Sequence, residues 1–107
     1  MMLGNMTRSL KDGALGLSLK TFLNERLREY GKVIECKIDT RRACAHLTAI
    51  MHGDPEPVSA IVERYELERE GGEHYIVLRK INSSHPQLMQ VFAGKRYKLP
   101  AAIYKLF

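Results

Sequence analysis

The sequence has no tryptophan, only two cysteines in 107 residues, and no aspartate or glutamate between His74 and Phe107. It also lacks any apolar run near the roughly 18 residues needed to span a bilayer. Asn5, Thr7, Arg8, Lys11 and Asp12 interrupt the first twenty residues, so no continuous apolar segment of a secretory signal is present there. The phosphate-cradling, dinucleotide-binding and nucleophile-elbow glycine patterns are missing. So are the paired Cys and His spacings of zinc sites. These absences leave nucleotide-dependent, hydrolytic and metal chemistry without motif support. The expectation is a cytoplasmic, non-enzymatic protein with no cofactor, no bound metal and no transmembrane segment.

Hydrophobic residues make up 45% of the chain and charged residues 27%, enough apolar surface for one core and too little length for two. Residues 1–107 are therefore read as a single domain. The formal net charge is +5 and unevenly spread. Glu63, Glu66, Glu68, Glu70 and Glu73 crowd one stretch, and the acid-free last third carries Arg79, Lys80, Lys95, Arg96, Lys98 and Lys105. Such a segment attracts anions at long range.

Periodicity supplies the elements. Residues 1–12 mix Gly4, Asn5 and polar side chains with isolated apolar ones and read as a loosely ordered arm or a weak helix. From Leu15 onward, Leu19, Phe22, Leu23, Leu27 and Tyr30 recur at helical spacing, with Ser18 as a possible N-cap and Gly31 suited to a left-handed stop. Val33 to Asp39 and Ala43 to His52 alternate as strands about a turn at Thr40–Arg41, pairing Ile38 with Ala43 and Cys36 with Ala45. In that register Cys44 lies opposite Lys37 on the other face from Cys36, so the thiols point apart and stay free.

Gly53-Asp54-Pro55-Glu56-Pro57 is turn chemistry. Gly71-Gly72 joins a last hairpin, Val58 to Glu70 and Glu73 to Ile81. Its register pairs Leu67 with Ile76, Tyr65 with Leu78 and Glu63 with Lys80 on one face; Glu68 with Tyr75, Glu66 with Val77 and Arg64 with Arg79 fall on the other. Val62, Val77 and Tyr75 then lie away from the core. Ser84 is placed as N-cap of a helix bearing Leu88, Met89 and Phe92, ended by Gly94. Pro100 opens a last turn with Ile103, Tyr104 and Phe107. The resulting fold class is α+β: an N-terminal amphipathic helix packed on a four-stranded antiparallel β-meander, with a short C-terminal helical region.

His46 and His52 share a strand face but stand about 20 Å apart, too far for one metal ion. Ser83, Ser84 and His85 are better explained by helix capping than by nucleophilic catalysis. The expected function is a binding module for an anionic, partly apolar target, a membrane surface, a lipid-like ligand or a protein. Lys95, Arg96, Lys98, Arg64, Arg79 and Lys105 supply the charge, and Tyr75, Tyr97 and Tyr104 the aromatic contacts. Single-stranded nucleic acid is the second reading, because tyrosines beside arginines combine stacking with phosphate contacts. A structural homodimer, formed through an open sheet edge or face, is the third.

Overall fold

A computed structural model describes residues 2–107, with side chains from Leu10 onward. The chain is built from helix α1 (Met2–Leu27), strands β1 (Gly31–Asp39), β2 (Cys44–Met51), β3 (Val58–Glu70) and β4 (Glu73–Ser83), helix α2 (Pro86–Phe92), strand β5 (Arg96–Leu99) and helix α3 (Ala101–Tyr104). The strands form one antiparallel sheet in the order β1-β2-β3-β4-β5. The protein is thus α+β, a helix followed by a meander, with five strands where four are expected. The additional strand is the basic segment Arg96–Leu99, whose four residues pair with His74–Val77. Residues 2–12, read as an arm or weak helix, belong to α1.

Leu15, Leu19, Phe22, Leu23 and Leu27 of α1 are buried against one sheet face formed by Val33, Leu47, Ala49, Val62, Tyr65, Ile76 and Leu78, among others. Each fully buried leucine stabilises this layer by about 1.5–3 kcal/mol. Helix and sheet meet closely because of three small or polar residues in α1. A Cβ on Gly16 would stand 2.5 Å from the Cys36 carbonyl oxygen, so only glycine lets the helix seat against β1. Asn24 acts as a surrogate strand partner: its amide nitrogen donates to the Val33 carbonyl at 3.1 Å and its oxygen accepts from the Val33 amide at 2.6 Å. Asp12 accepts from the Thr40 amide and hydroxyl, at 3.2 and 2.7 Å. An otherwise open edge strand is thereby held and covered by the helix.

The register departs from strict alternation at three places. In β1 a shift between Val33 and Glu35 leaves Val33 buried and Ile34 exposed, although alternation places Ile34 with Cys36 and Ile38. The β1–β2 turn is longer than Thr40–Arg41. The Asp39 carboxylate accepts from the Arg41 and Arg42 amides at 3.0 and 3.2 Å, and Ala43 closes the turn at φ 54°. Pairing consequently moves by two residues, to Ile38 with Ala45 and Cys36 with Leu47, and Cys44 faces Asp39. Both cysteines are free.

In the β3–β4 hairpin, Leu67 pairs with Ile76, Tyr65 with Leu78, Glu68 with Tyr75 and Glu66 with Val77, as the sequence predicts. Two shifts around Arg64 then interrupt the ladder: Arg64 pairs with Lys80 instead of Arg79, and Val62 with Ile81. The irregularities offset one another and turn Val62 and Ile81 into the core, at 1% and 5% exposure. Val62 is therefore a core residue and not one of the opposite face. Glu63 and Lys80 still meet, 3.3 Å apart.

Helix α2 buries Leu88 and Phe92 and ends at Gly94, which takes φ 69°. Its N-cap is His85, with no side-chain capping bond; Ser84 does not cap. Ser83 instead accepts from the His85 amide at 3.2 Å. Gly31 is not a left-handed stop either. It begins β1 where a Cβ would meet the Ile50 carbonyl oxygen at 2.3 Å. The chain end closes the remaining side of the core: Leu99 is 3% exposed, Phe107 meets the Tyr65 ring edge-on at 5.8 Å, and Tyr104 stacks on His74 at 3.5 Å.

The helix–strand contact predicts opposite effects from two identical substitutions. Alanine is favoured over glycine inside a helix by about 1 kcal/mol. A methyl group added at Gly13 would have nothing within 4 Å, so Gly13→Ala raises the melting temperature, by roughly 4 °C. Gly16→Ala meets backbone at 2.5 Å and lowers it. Thermal unfolding followed by circular dichroism checks the pair, and a gain in both variants contradicts the close approach.

Burial also predicts an alkaline limit. It pushes the Cys36 thiol from 9.0 up to about 12. The Tyr65 phenol rises from 10.0 to about 12, through burial first and then the nearby charges of Asp12, Cys44 and Asp39. Below pH 9 both groups are protonated in the folded and unfolded chain alike. Between about pH 9 and 12 the unfolded chain releases these protons first, so stability falls as pH rises. Denaturant midpoints measured from pH 8 to 11 should fall, less steeply in Cys36→Ala; equal slopes refute the contribution of Cys36.

Candidate functional site

The residues of the last third that lack acidic neighbours in sequence do not lack them in space. On the sheet face away from α1, the glutamates of β3 meet the basic residues of β4 beside them and reach Arg96 of β5 across β4. Glu66 pairs with Arg64 at 3.3 Å and Arg79 at 3.1 Å, Glu68 with Arg79 at 3.1 Å and Arg96 at 3.6 Å, and Glu70 with Arg96 at 2.9 Å. Lys98 pairs with Glu73 at 3.0 Å, and this hydrogen-bonded carboxylate raises its ammonium above the ordinary lysine value. Arg96 also lies over the Tyr75 ring, 3.6 Å from its centre.

This alternating ladder changes the meaning of four expected binding residues. Arg64, Arg79, Arg96 and Lys98 are each matched by glutamate, so their long-range pull on an anion is largely cancelled. Individually such exposed pairs contribute little to stability. Together their stems cover Val77, which is 3% exposed although it points away from the core, between Glu66 and Arg96 on the neighbouring strands. The ladder therefore covers Val77 on this half of the face. Tyr75 serves under Arg96 and Tyr104 on His74.

Among the described residues, Lys95 and Lys105 have no ion-pair partner. Lys95 lines a groove of about 450 Å³ between the C-terminal end of α1 and the α2–β5 connection, together with Arg26, Tyr30, Gln90, Val91 and Tyr97. Arg26 has no acidic partner among the described residues either. Its guanidinium lies over the Phe22 ring at 4.4 Å and faces the Tyr97 ring at 5.8 Å. Tyr97 donates its hydroxyl to the Val91 carbonyl and packs edge-on against Phe92, so the groove wall is fixed from behind. Burial raises the Tyr97 phenol above its ordinary value, against the opposing pull of Arg26. The groove thus combines two uncompensated cations, an amide and two phenol rings.

Lys95 and Tyr97 are expected site residues; Arg26, Tyr30, Gln90 and Val91 are not. A sequence signal for Arg26 exists, because it follows Phe22 by four residues and Leu19 by seven, which places a cation on the apolar side of α1. A second depression, on the outer sheet surface, is lined by Lys37, Asp39, Cys44, His46 and Ile61, among others. Its cation is committed, Lys37 to Glu35 at 3.6 Å. Among the described residues, no three His, Cys, Asp or Glu side chains gather in a way that could hold a metal ion, and no helix is long and apolar enough to cross a membrane.

Compared with protein-family models, with curated proteins and with solved structures, the chain matches none of them.

Proposed function

We propose that the protein is a non-enzymatic binding module for a small amphiphile carrying an anionic head, held in the groove between α1 and the α2–β5 connection. The observation that carries this reading is the pairing of Arg26 and Lys95, each without an acidic partner among the described residues, with the faces of Tyr30 and Tyr97 and the side chain of Val91. A phosphate or carboxylate between two cations forms charge-assisted hydrogen bonds, with Gln90 as a neutral donor beside them. The tyrosine rings and Val91 offer apolar surface to a short chain. A volume of about 450 Å³ suits such a ligand and is at the small end for organic cofactors.

The ladder of glutamates speaks against single-stranded nucleic acid. A strand laid across Arg64, Arg79 and Arg96 would bring its phosphates against Glu66, Glu68 and Glu70, with the Tyr75 face already occupied by Arg96. Stacking and phosphate neutralisation, the two sources of affinity in such binders, are both taken up internally.

Isothermal titration with octyl phosphate, octanol and inorganic phosphate separates head from tail. Octyl phosphate is expected to bind more tightly than either fragment. Lys95→Glu should weaken it by about tenfold or more, the loss of one charge-assisted bond. Lys95 is exposed, so its melting temperature should not move. Equal affinity for octyl phosphate in the wild type and Lys95→Glu, or no binding at low salt, defeats the assignment. A salt-sensitive rise in fluorescence polarisation of a labelled single-stranded oligonucleotide would favour the nucleic-acid reading instead.

A further inference from the structure

Helix α1 has two apolar faces, and the sheet uses only one. At about 100° per residue, Leu15, Leu19 and Leu23 centre on the side buried against the sheet. Leu10, Ala14 and Leu17 lie within an arc of about 60° on the side directly opposite. All three are exposed, Leu10 at 76% and Leu17 at 65%, the two most open of the large hydrophobic residues described. In the sequence the same three- and four-residue spacing continues upstream through Met6 and Leu3. Lys11 and Lys20 sit about 100° and 80° to either side of this stripe. The only acidic residue before Glu25 is Asp12, and its carboxylate is turned to Thr40 on the sheet side.

From this arrangement we infer that α1 docks lengthwise onto an anionic lipid surface, with Leu10, Ala14 and Leu17 entering the acyl boundary and Lys11 and Lys20 meeting the head groups from both flanks. An apolar stripe with lysines at its margins is the geometry of a helix lying in the membrane interface, where the long lysine stems reach outward while the leucines face in. The one acidic residue of α1 on the exposed side, Glu25, lies beyond the stripe and is paired with Arg28 at 3.7 Å. The same charges disfavour a second copy as the occupant. Antiparallel pairing sets the Lys11 flank of each helix beside the Lys11 flank of the other and Lys20 with Lys20, parallel pairing sets the Lys11 flank beside the Lys20 flank, and either arrangement brings lysines of like charge to the same seam. Three small or medium side chains also fall well short of the roughly 800 Å² that each partner contributes to a stable interface.

This inference is independent of the groove. Arg26 follows Leu19 by seven residues and so belongs to the buried side of the helix, whereas the stripe lies on the opposite side. The far end of α1 carries no continuation of the stripe: Thr21 lies on that face and Glu25 adjoins it, paired at 3.7 Å with Arg28 just past the helix end. Lipid contact therefore concentrates in the part of the helix from Leu10 to Lys20, and leaves the groove at the C-terminal end open.

Sedimentation of the full chain with phosphatidylcholine vesicles, with and without phosphatidylglycerol, tests the inference. Wild-type protein should sediment with the phosphatidylglycerol vesicles at low salt and be released by added salt. The double variant Leu10→Asp, Leu17→Asp should bind at least about tenfold more weakly at an unchanged melting temperature, since both side chains are exposed. Lys11→Glu with Lys20→Glu should lose binding to the anionic vesicles as well. Lys95→Glu should bind vesicles as wild type does, which separates this inference from the fate of the groove. Undiminished vesicle binding by the leucine variant overturns it, as does a wild-type protein that stays in the supernatant with phosphatidylglycerol present. A dimer detected by light scattering without lipid and abolished by the leucine substitutions would assign the stripe to a second copy.

Discussion

The contact on which the rest of the molecule depends is the seating of α1 against β1. A meander leaves two edge strands, and an edge strand exposes unpaired amides and carbonyls over its whole length. Here the first edge is held by a helix instead of another strand. Gly16 allows the backbones to approach at the Cys36 carbonyl, and Asn24 completes the hydrogen bonding of Val33 at the point where β1 shifts register. Asp12 anchors the far end at the β1–β2 turn. With the helix fixed at three points along one strand, its leucines fall over β2, β3 and β4, and the core lies between them. The opposite edge has no such cover and is short: β5 has four residues before Pro100 ends it.

Patterns that local chemistry enforces twice are legible in the sequence. The Gly71-Gly72 hairpin is an example, because apolar pairs and turn geometry demand one register together. The same hairpin shows where legibility stops. Glu63 and Lys80 satisfy one another in a regular ladder and in the shifted one, so their charges carry no information about the shift that turns Val62 and Ile81 inward. What decides it is the need to fill the space under α1, which belongs to tertiary packing. The β1–β2 turn is lost for a different reason. Asp39 binds two amides ahead of it, a local option open to any aspartate at a strand end, and the two added residues move every pair in the hairpin without changing which face is apolar.

The candidate site was legible only in part, and charge explains why. Along the chain the glutamates of β3 and the cations of β4 and β5 are separate blocks, which reads as polarity. Folding an antiparallel hairpin at Gly71-Gly72 and adding β5 brings those blocks side by side, so the same residues become a neutral ladder. Linear charge segregation across a hairpin turn is therefore poor evidence for a binding patch when the blocks have opposite sign. The cations that keep their field are the ones outside the strand ladder, Lys95 in a turn and Arg26 on a helix. Their meeting depends on the packing of α1 against α2, nearly seventy residues apart, and no local spacing announces it.

Neutralising the outer sheet face has a further physical consequence. A net charge of +5 persists after the ladder is matched, and the described cations without acidic partners are drawn largely from α1, the start of β1 and the turns: Lys11, Lys20, Arg26, Lys32, Arg41 and Lys95 among them. The positive field of the molecule thus belongs to the helix side and its two ends, not to the sheet that carries most of its glutamate. An apolar stripe on a sheet face crossed by such a ladder would need to desolvate its eight charges to be used, at a cost of several kcal/mol per ion buried. The same stripe on α1 desolvates none, because Lys11 and Lys20 stay at its margins and Asp12 is already bonded inward. The division of labour follows from that difference: the sheet's outer face is sealed by charge, and the helix's outer face remains available for contact.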